Sequence, residues 1–459
     1  MHTSRVWQKV IIIAMLVAML GACFLFVGCQ EVDTSGKSAY QIAVDNGFVG
    51  NEQQWLASLK GENVSIDDLF AKYCEANPTA TYDEFLEKYL TLNAPNSIQY
   101  ATNKAIRSVV SIFSKFVVTQ NSIWGGAPET KEVMSGGAGV VYKLEKDANG
   151  NRTGGAYIIT NYHVVYERTA QDDGFSKQII IKPFGRDYNG DYIKGKDILA
   201  TYVGGSLVND IAVLHVQNDY FKTENVQEIV VADSGKVCAG DAVVAIGNPT
   251  GGGISATSGI VSVDSELIEI ELLSEAGKRN IVRVIRIDAA VNGGNSGGGL
   301  FDTNGDLIGI VNAKIQKTGI ENIGYAIPSV VATSIADKVI ARDFDKALVG
   351  ITTTITQSWA VFDKATGETH IEEEVIVASV DPKMLAYGKL SAGDIIKSAQ
   401  LLSADGKEVA NIVVNRSFVL SDMLWKAKIG DKLVLQIERE GNDVVVEMLF
   451  AQENTIKIK

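Results

Sequence analysis

A lone serine in a glycine-rich stretch is the residue of this chain best suited to covalent chemistry. Ser296 lies within Gly-Gly-Asn-Ser-Gly-Gly-Gly at positions 293–299, after the apolar segment 285–291. Serine becomes a strong nucleophile when a base takes its proton and backbone N–H groups stabilise the oxyanion that forms. Flanking glycines permit the tight turn that directs several N–H groups at one point. The same composition also suits a Gly/Ser-rich surface loop, so other residues must decide.

Two upstream segments supply the base and the carboxylate that such a serine needs. The apolar stretch 156–160 leads to His163, and Asp210 precedes the apolar stretch 211–214. A carboxylate buried at the mouth of a strand can hold an imidazole in the tautomer that accepts a proton. His215 is the competing base, but it lies within the strand after Asp210, so we expect it in the core or on a sheet face. The order histidine, aspartate, serine is one that the chymotrypsin-like double barrel uses.

A series of motifs in this chain resembles the HtrA (DegP-like) family of PDZ-bearing serine proteases. The motifs follow the family's order over roughly residues 97 to 459: TNYHVV at 160–165, NDIAVL at 209–214, IGNP at 246–249, GIVS at 259–262, DAAVNGGNSGG at 288–298 and GYAIP at 324–328. The resemblance implies that His163 is the general base, Asp210 its orienting carboxylate and Ser296 the nucleophile. It also implies an oxyanion hole from the backbone of Gly294 and Ser296, with Asn295 shaping the loop between them.

Length and composition fit a multidomain, mainly β protein. A chain of 459 residues exceeds what one core supports, so about two to four domains are expected. The resemblance implies a chymotrypsin-like double β-barrel protease domain at 97–345 and one PDZ domain at 347–459. We expect a signal segment at 1–29 and a small helical region with a linker at 30–96, where a faint repeat of about 31 residues suggests two helical hairpins. That region is interpreted as a spacer or an interaction module, or else as a structural stalk.

The protease region reads as many short strands. The first barrel is expected from strands at 109–116, 139–144, 156–160, 178–181, 198–203 and 211–216, and the second from strands at 227–231, 241–246, 259–263, 282–287, 299–302 and 306–312. Asn304-Gly305 is a strong hairpin signal. The stretch 335–344 is expected to be the helix that ends the domain. This arrangement places His163 and Asp210 on one barrel and Ser296 on the other.

The expected substrate pocket is apolar. In the resembling family the segment before the serine and the strand after it line this pocket, which here implies Val291, Ile308 and Ile310, closed by Tyr325. No acidic residue lies in 291–293 or 308–311, and Glu321 is expected on an exposed loop. The pocket should accept Val, Ala or Ile with broad selectivity, because one methylene is worth only about 1–3 kcal/mol. Unfolded chains expose such residues, which predicts a quality-control protease of the cell envelope.

Residues 347–459 resemble a PDZ domain, most clearly at Leu-Ser-Ala-Gly-Asp, positions 390–394. Such a domain binds a C-terminal carboxylate with backbone N–H groups and adds the peptide as an extra strand. The resemblance places the carboxylate loop at Leu348, Val349, Gly350 and Ile351. Gly350 is the loop's only glycine, which departs from the usual Gly-rich form. A structural appendage with a PDZ shape therefore stays open as the alternative.

The N-terminus is a targeting segment. Two basic residues, Arg5 and Lys9, precede an uncharged apolar run over 10–28, which is a signal-peptide pattern long enough to approach a membrane span. The end of the run resembles a bacterial lipoprotein signal. Cys29 is the favoured lipid acceptor because polar sequence follows it, with Cys23 as the alternative and an uncleaved signal anchor as another. Each predicts an extracytoplasmic protein attached to the membrane.

Charge and composition limit the classes of partner. The formal net charge of −13 without a basic stretch argues against a nucleic-acid partner. No residue pattern indicates a cofactor or a metal. The expected partners are unfolded polypeptides and peptide termini, and the family resemblance allows a homotrimer. Other hypotheses are a catalytically weak holding chaperone or PDZ adaptor, and a surface-attached binding protein.

Overall fold

The computed structural model describes residues 97–120, 129–183, 197–249, 253–313, 323–364 and 369–458, besides the isolated positions Cys74 and Pro78. Residues 1–91 and 92–459 form two separate compact units. The signal segment with both candidate lipid cysteines, almost all of the repeat region and Glu321 lie outside the described residues. The predictions made for them therefore stay predictions.

The first half of the protease region is a closed six-stranded antiparallel barrel with strand order β1-β2-β3-β6-β5-β4. Its strands are β1 (Val109–Gln120), β2 (Glu129–Lys146), β3 (Arg152–Thr160), β4 (Gln178–Pro183), β5 (Ile198–Ser206) and β6 (Ile211–Gln217). Ile158 and Leu214 pack inside this barrel, whereas their neighbours Ile159 and Val213 pack outward against the second barrel. Both faces of these strands are covered, which explains their continuous apolar sequence.

The second half is another closed six-stranded barrel, with strand order β10-β11-β12-β9-β8-β7. Its strands are β7 (Ala242–Gly247), β8 (Ser255–Glu271), β9 (Arg279–Ile287), β10 (Gly299–Phe301), β11 (Leu307–Val311) and β12 (Gly324–Pro328). The predicted strand at 227–231 is wrong. There only Val231 makes an isolated bridge, to Leu307, and Ile229 donates its N–H to Val141 O at 3.0 Å. This segment therefore links the barrels, and β12 completes the second one.

Helices close the space between the barrels. They are α1 (Ile98–Ala105), the single turn α2 (Tyr162–Val165) and α3 (Ser329–Ile340), with 3₁₀ turns at Ile106–Ser108, Asp172–Gly174 and Asp219–Lys222. Residues of α1 and α3 join an inter-barrel core that also holds Ile246, Phe301 and Ile327. The predicted helix 335–344 begins earlier, directly after Pro328, and ends at Ile340. Proline fits this boundary because its missing N–H is not needed at a helix start.

The C-terminal part is a six-stranded sheet with a helix on it. After β13 (Asp345–Ala347), which pairs with β20 (Thr455–Lys457), the sheet contains β14 (Ile351–Phe362), β15 (Thr369–Val380), β16 (Ile395–Leu402), β17 (Glu408–Val413), β18 (Lys432–Arg439) and β19 (Asn442–Leu449). The helix α4 (Val419–Leu424) precedes β18, and a 3₁₀ turn at Gln452–Asn454 precedes β20. Leu420 and Met423 of α4 pack onto Val377, Leu401 and Leu435 of the sheet.

Buried ion pairs join this C-terminal sheet to the second barrel. Arg283 of β9 pairs with Asp422 of α4, and only 7% and 11% of their side chains are exposed. The Arg283 guanidinium also lies 3.6 Å from the centre of the Phe418 ring. Arg416 Nη2 donates to Asp264 Oδ1 of β8 at 3.1 Å. Burial raises the pKa of Asp422, and the charge of Arg283 opposes that rise.

Lys346 is also half-buried, near the Arg283–Asp422 pair. Lys346 Nζ lies 3.9 Å from the centre of the Trp425 ring, and Trp425 packs into the inter-barrel core. Burial lowers the pKa of Lys346 to about 8, with Asp422 acting in the opposite direction. The C-terminal sheet and the barrels thus share a packed, charged boundary within the unit 92–459.

Candidate active site

Strand ends bring His163 and Asp210 together. β3 ends at Thr160, and the chain turns at once into α2, which carries His163. Asp210 stands directly before β6 with φ 53°, a left-handed conformation that is uncommon for a residue with a Cβ atom. Asn161 Nδ2 and Tyr162 N donate to Asp210 O at 2.9 and 3.1 Å. These bonds hold the strained turn in place.

The Asp210 carboxylate is buried, with 2% of the residue exposed, and accepts three hydrogen bonds. His163 N donates to Oδ1 at 2.9 Å, and Asn312 Nδ2 donates to Oδ2 at 2.7 Å. His163 Nδ1 lies 2.6 Å from Oδ2. An ionised carboxylate only accepts hydrogen bonds, so the network assigns the proton to Nδ1. His163 Nε2 is then left as an acceptor, the form that can take a proton.

Ser296 is held beside this pair by both barrels. Ala138 N of β2 donates to Ser296 O at 2.8 Å, and Ala313 N donates to Ser296 Oγ at 3.1 Å. Ala313 directly follows Asn312, so consecutive residues contact the serine hydroxyl and the Asp210 carboxylate. Because Ser296 Oγ accepts from Ala313, its own proton stays free to be donated. The three predicted catalytic residues thus lie at one cleft between the barrels.

The glycine after Ser296 allows the barrels to meet. Gly297 has φ 83°, and a Cβ atom there would lie 2.1 Å from Thr160 Oγ1 and 2.2 Å from Ala138 O. Both distances are far below contact, and the left-handed conformation disfavours any side chain. Any larger residue would push the serine loop away from β2 and β3.

Hydrogen bonds within the serine loop hold the backbone that carries the N–H groups of Gly294 and Ser296. Asn295 N donates to Asn292 O at 3.0 Å, whereas Asn295 O accepts from Gly298 N at 2.9 Å. These bonds orient the peptide groups on both sides of Asn295. Within the described residues, the N–H groups of Gly294 and Ser296 have no acceptor. Asn295 therefore shapes the loop, and its neighbours can donate to an oxyanion.

The four predicted pocket residues lie in three different apolar clusters, and only Val291 and Ile308 share one. Val291 is half-buried, and a Cβ atom on Gly324 would lie 2.7 Å from Val291 Cγ2. Ile308 and Ile310 are 3% and 0% exposed and pack in the second-barrel and inter-barrel cores. Tyr325 is 1% exposed and packs in a separate cluster with Ile268, Val282 and Val284. Because both faces of β11 and β12 are covered, their apolar side chains do not identify a pocket wall.

The predicted carboxylate loop borders a groove. A cavity of about 190 Å³ lies between Leu348–Ile351 and the helix α4, with Leu420 and Leu424 on the helix side. Leu348 N donates to Asn454 O at 2.8 Å, and the carbonyls of Val349 and Gly350 accept from Ala386 N and Asp381 N. Within the described residues, the N–H groups of Val349 and Gly350 have no acceptor. They can therefore donate to a ligand in the groove.

The competing base, His215, lies away from the Asp210 carboxylate. His215 lies on a sheet face as expected, with Nε2 3.3 Å from Glu145 Oε1 and its ring 5.0 Å from that of Tyr157. Across the described ranges, no group of three or more His, Cys, Asp or Glu side chains could hold a metal ion.

Sequence reasoning missed Asn312 and Asn161 as partners of Asp210. An asparagine at a strand end is the only signal they give, and it is shared with ordinary turn residues.

The fold and this cleft define a trypsin-like serine protease. Residues 137–310 match the family model of the trypsin-like peptidase domain. The chain is 30% identical over 362 residues to the serine protease Do-like HtrA of Bacillus subtilis strain 168, covering 75% of this chain and 71% of that protein. It is 28% identical over 390 residues to the protein of the same name from Lactococcus lactis subsp. cremoris, covering 80% and 85%.

The chain belongs to the HtrA family of serine proteases. It is also 30% identical over 332 residues to the periplasmic serine endoprotease DegP of Escherichia coli K12, covering 72% of this chain and 60% of that protein. The predictions of a mainly β, chymotrypsin-like double barrel and of a serine endopeptidase are confirmed.

Proposed function

We propose that this protein hydrolyses peptide bonds by a Ser-His-Asp acyl-enzyme mechanism, with His163 as base and Ser296 as nucleophile. The observation that carries the proposal is the buried Asp210 carboxylate, which accepts from both ring and backbone nitrogens of His163. Asn312 fixes the same carboxylate, and the next residue fixes the hydroxyl. A carboxylate held by three donors keeps the imidazole in one orientation and stabilises the imidazolium that forms.

The proposed steps follow from the roles of these residues. Ser296 Oγ attacks the scissile carbonyl carbon while its proton passes to His163 Nε2. The N–H groups of Gly294 and Ser296 receive the oxyanion. His163 then gives the proton to the leaving amine, and the peptide bond breaks to leave an acyl ester on Ser296. A water molecule, deprotonated by His163, hydrolyses the ester and restores the free hydroxyl.

Unfolded polypeptides with aliphatic side chains are the proposed substrates. Val291 and Ile287 pack so closely against Gly324 that a Cβ atom there would lie 2.7 and 3.0 Å from them. We propose this uncharged surface as one wall of the substrate pocket. With no carboxylate in that wall, a substrate lysine or arginine would find no partner there. Such a pocket favours small aliphatic residues before the scissile bond and discriminates weakly among them. Folded proteins bury these residues, so unfolded chains expose more cleavage sites.

Digestion of one protein in folded and unfolded form tests this substrate class. We expect cleavage of the permanently unfolded form at least tenfold faster than cleavage of the folded form, because only the former offers extended aliphatic segments. Mass spectrometry of the new termini should show mostly Val, Ala or Ile before the cut. A Val291→Asp variant should shift cleavage toward Lys or Arg. Wild-type cleavage dominated by Lys or Arg, or equal cutting of both forms, would contradict the proposal.

We further propose that the enzyme acts outside the cytoplasm as a lipoprotein of the cell envelope. The apolar run 10–28 ends at Cys29, and a relative is named a periplasmic endoprotease. Among helices of the described ranges, none is long and apolar enough to cross a bilayer.

The C-terminal sheet is proposed to be the PDZ domain, whose groove takes peptide C-termini through the Val349 and Gly350 N–H groups. A homotrimer stays a prediction.

Metabolic labelling with a palmitate analogue tests the anchor. Cys29→Ser is expected to abolish labelling and to release the protein from the membrane fraction, because a single thiol accepts the lipid. Cys23→Ser serves as the matched control and should stay labelled. If only Cys23→Ser loses the label, Cys23 is the lipid acceptor. If wild-type protein is never labelled, the segment is a signal anchor or an ordinary cleaved signal.

A further inference from the structure

The strand that borders the peptide groove continues well beyond it. β14 has 12 residues and stands at the end of the strand order. The groove follows it only as far as Thr353. Over 354–362, β14 pairs with β15 on one side and with no other described strand. An uncovered strand edge offers a row of backbone N–H and C=O groups to another extended chain.

The uncovered part of β14 carries large apolar side chains. Ile355, Trp359 and Phe362 are 43%, 44% and 59% exposed. Folded proteins usually protect long edge strands with charges, bulges or a covering segment. Here a bulge stands at Thr356, between the pairs Ile355–Val375 and Gln357–Glu374. Beyond it the strand stays extended and is apolar from Trp359 to Phe362, which is typical of a surface that another chain contacts.

The neighbouring strand places carboxylates beside this apolar stretch. Glu372 stands directly opposite Trp359, and Glu374 stands opposite Gln357. Residues opposite each other share a face of the sheet, so Trp359, Glu372 and Glu374 form one acidic strip. Glu374 Oε1 accepts from Thr356 Oγ1 at 2.6 Å. Glu372 Oε1 lies 3.6 Å from His370 Nε2 on the same strand, and among the described side chains no lysine or arginine pairs with either glutamate of the strip.

We propose that the acidic strip binds a lysine or arginine side chain of an extended polypeptide whose C-terminus occupies the groove. An aromatic ring beside two carboxylates attracts a cation through both cation–π and charge interactions. This inference rests on the proposed peptide-binding function of the groove. It adds a second contact, which selects chains by a basic residue upstream of their end.

Strand geometry gives the position of that basic residue. A peptide added antiparallel to β14 has its C-terminus at Gly350, and its upstream residues extend toward Phe362. Trp359 lies nine positions beyond Gly350, which corresponds to about 30 Å of extended chain. The bulge at Thr356 alters the register by one residue. The basic side chain should therefore stand about seven to nine residues before the C-terminal residue.

A second copy of this chain is a less suitable occupant. Pairing two copies through β14 would join two acidic strips in one sheet and supply no cation to either. The chain also carries a formal net charge of −13, which makes two copies repel each other. A basic polypeptide instead neutralises the strip.

Peptide affinity measured by fluorescence anisotropy tests the inference, with the full chain carrying Ser296→Ala to prevent cleavage. The probes share four apolar C-terminal residues: a four-residue peptide, a ten-residue peptide with Lys eight residues before its end, and a matched peptide with Glu there. We expect the long basic peptide to bind about tenfold tighter than the other two. Raising the salt to about 0.5 M should remove most of that advantage.

Two charge reversals supply the matched comparison. Glu372→Lys should remove the advantage of the long basic peptide and leave the affinity of the four-residue peptide unchanged. Asp443→Lys makes the same change in charge on β19, at the other edge of the sheet, and should preserve the advantage. Trp359→Leu, which keeps an apolar side chain on the strand, should lower the affinity of the basic peptide several-fold.

The outcomes separate the strip from the groove. Equal affinity for the long basic and acidic peptides overturns the strip and leaves the groove intact. A C-terminally amidated basic peptide that binds as well as the free acid, and only with Glu372 present, supports the strip and refutes carboxylate capture by the groove. If Glu372→Lys changes the sedimentation mass but no peptide affinity, the edge joins copies of this chain and the inference fails.

Discussion

Replacing Ser296 or His163 by alanine is expected to lower kcat on an unfolded protein by roughly 10⁵–10⁶-fold. Either change leaves no pair that can form the acyl ester, and the members of such a unit lose activity together rather than additively. The double variant should therefore be no slower than either single one. Initial rates with a fluorescent casein-type substrate, at equal folded concentration, measure this effect.

Asp210→Asn should cost about 10⁴-fold while leaving the fold intact. The carboxylate accepts from His163 N, His163 Nδ1 and Asn312 Nδ2. An asparagine has a single acceptor oxygen. With its N–H₂ group in the place of Oδ2, it would face both His163 Nδ1 and Asn312 Nδ2, and the imidazole would change tautomer. His215→Ala is the matched control, because His215 pairs with Glu145 on a sheet face, and it should keep near-native turnover. If His163→Ala stayed active and His215→Ala did not, the assignment of the base would be wrong.

The second large effect concerns stability. Arg283→Met is expected to lower the free energy of unfolding by about 3–5 kcal/mol, because it leaves the buried Asp422 carboxylate without its cation. The change also removes the stacking on Phe418. Urea denaturation at pH 7 in the Ser296→Ala background measures the loss without self-digestion.

Two further variants show that burial causes this loss. The double change Arg283→Met with Asp422→Leu should recover most of it, since two packed apolar residues can replace a buried pair at little cost. Arg279 is on β9, like Arg283, and Arg279→Met removes its pair with Glu269 of β8, in which both side chains are mostly exposed. That change should cost less than about 1 kcal/mol. Equal losses for Arg283→Met and Arg279→Met would show that the boundary does not depend on the buried pair.

Sequence patterns predicted the first barrel well and the last strand of the second barrel poorly. The segment 227–231 is rich in β-branched residues, yet it links the barrels. The strand β12 (Gly324–Pro328) contains both glycine and proline, which strand propensity disfavours. Its pairing with Ile285–Ile287 and with β11 is fixed by barrel closure. Closure joins residues far apart in sequence, so no local pattern records it.

In the candidate site, too, local motifs predicted some residues, whereas contacts between residues far apart in sequence were not predictable. His163, Asp210 and Ser296 were predictable because each stands in a specific motif at a strand end. Asn312 was not, since its contact with Asp210 spans 102 positions. The assignment of Ile308 and Ile310 to the pocket stays a prediction for a related reason. When both faces of a strand are buried, apolar alternation cannot show which side faces a cleft.

Labelling with a fluorophosphonate probe tests the central claim most directly, because this reagent phosphonylates only a serine that a neighbouring base activates. The account predicts one adduct, mapped by mass spectrometry to Ser296 in the wild-type protein. The adduct should be absent from Ser296→Ala and strongly reduced in His163→Ala, while His215→Ala labels normally. Folded wild-type protein that takes up no probe, or an adduct on another serine, would contradict the account.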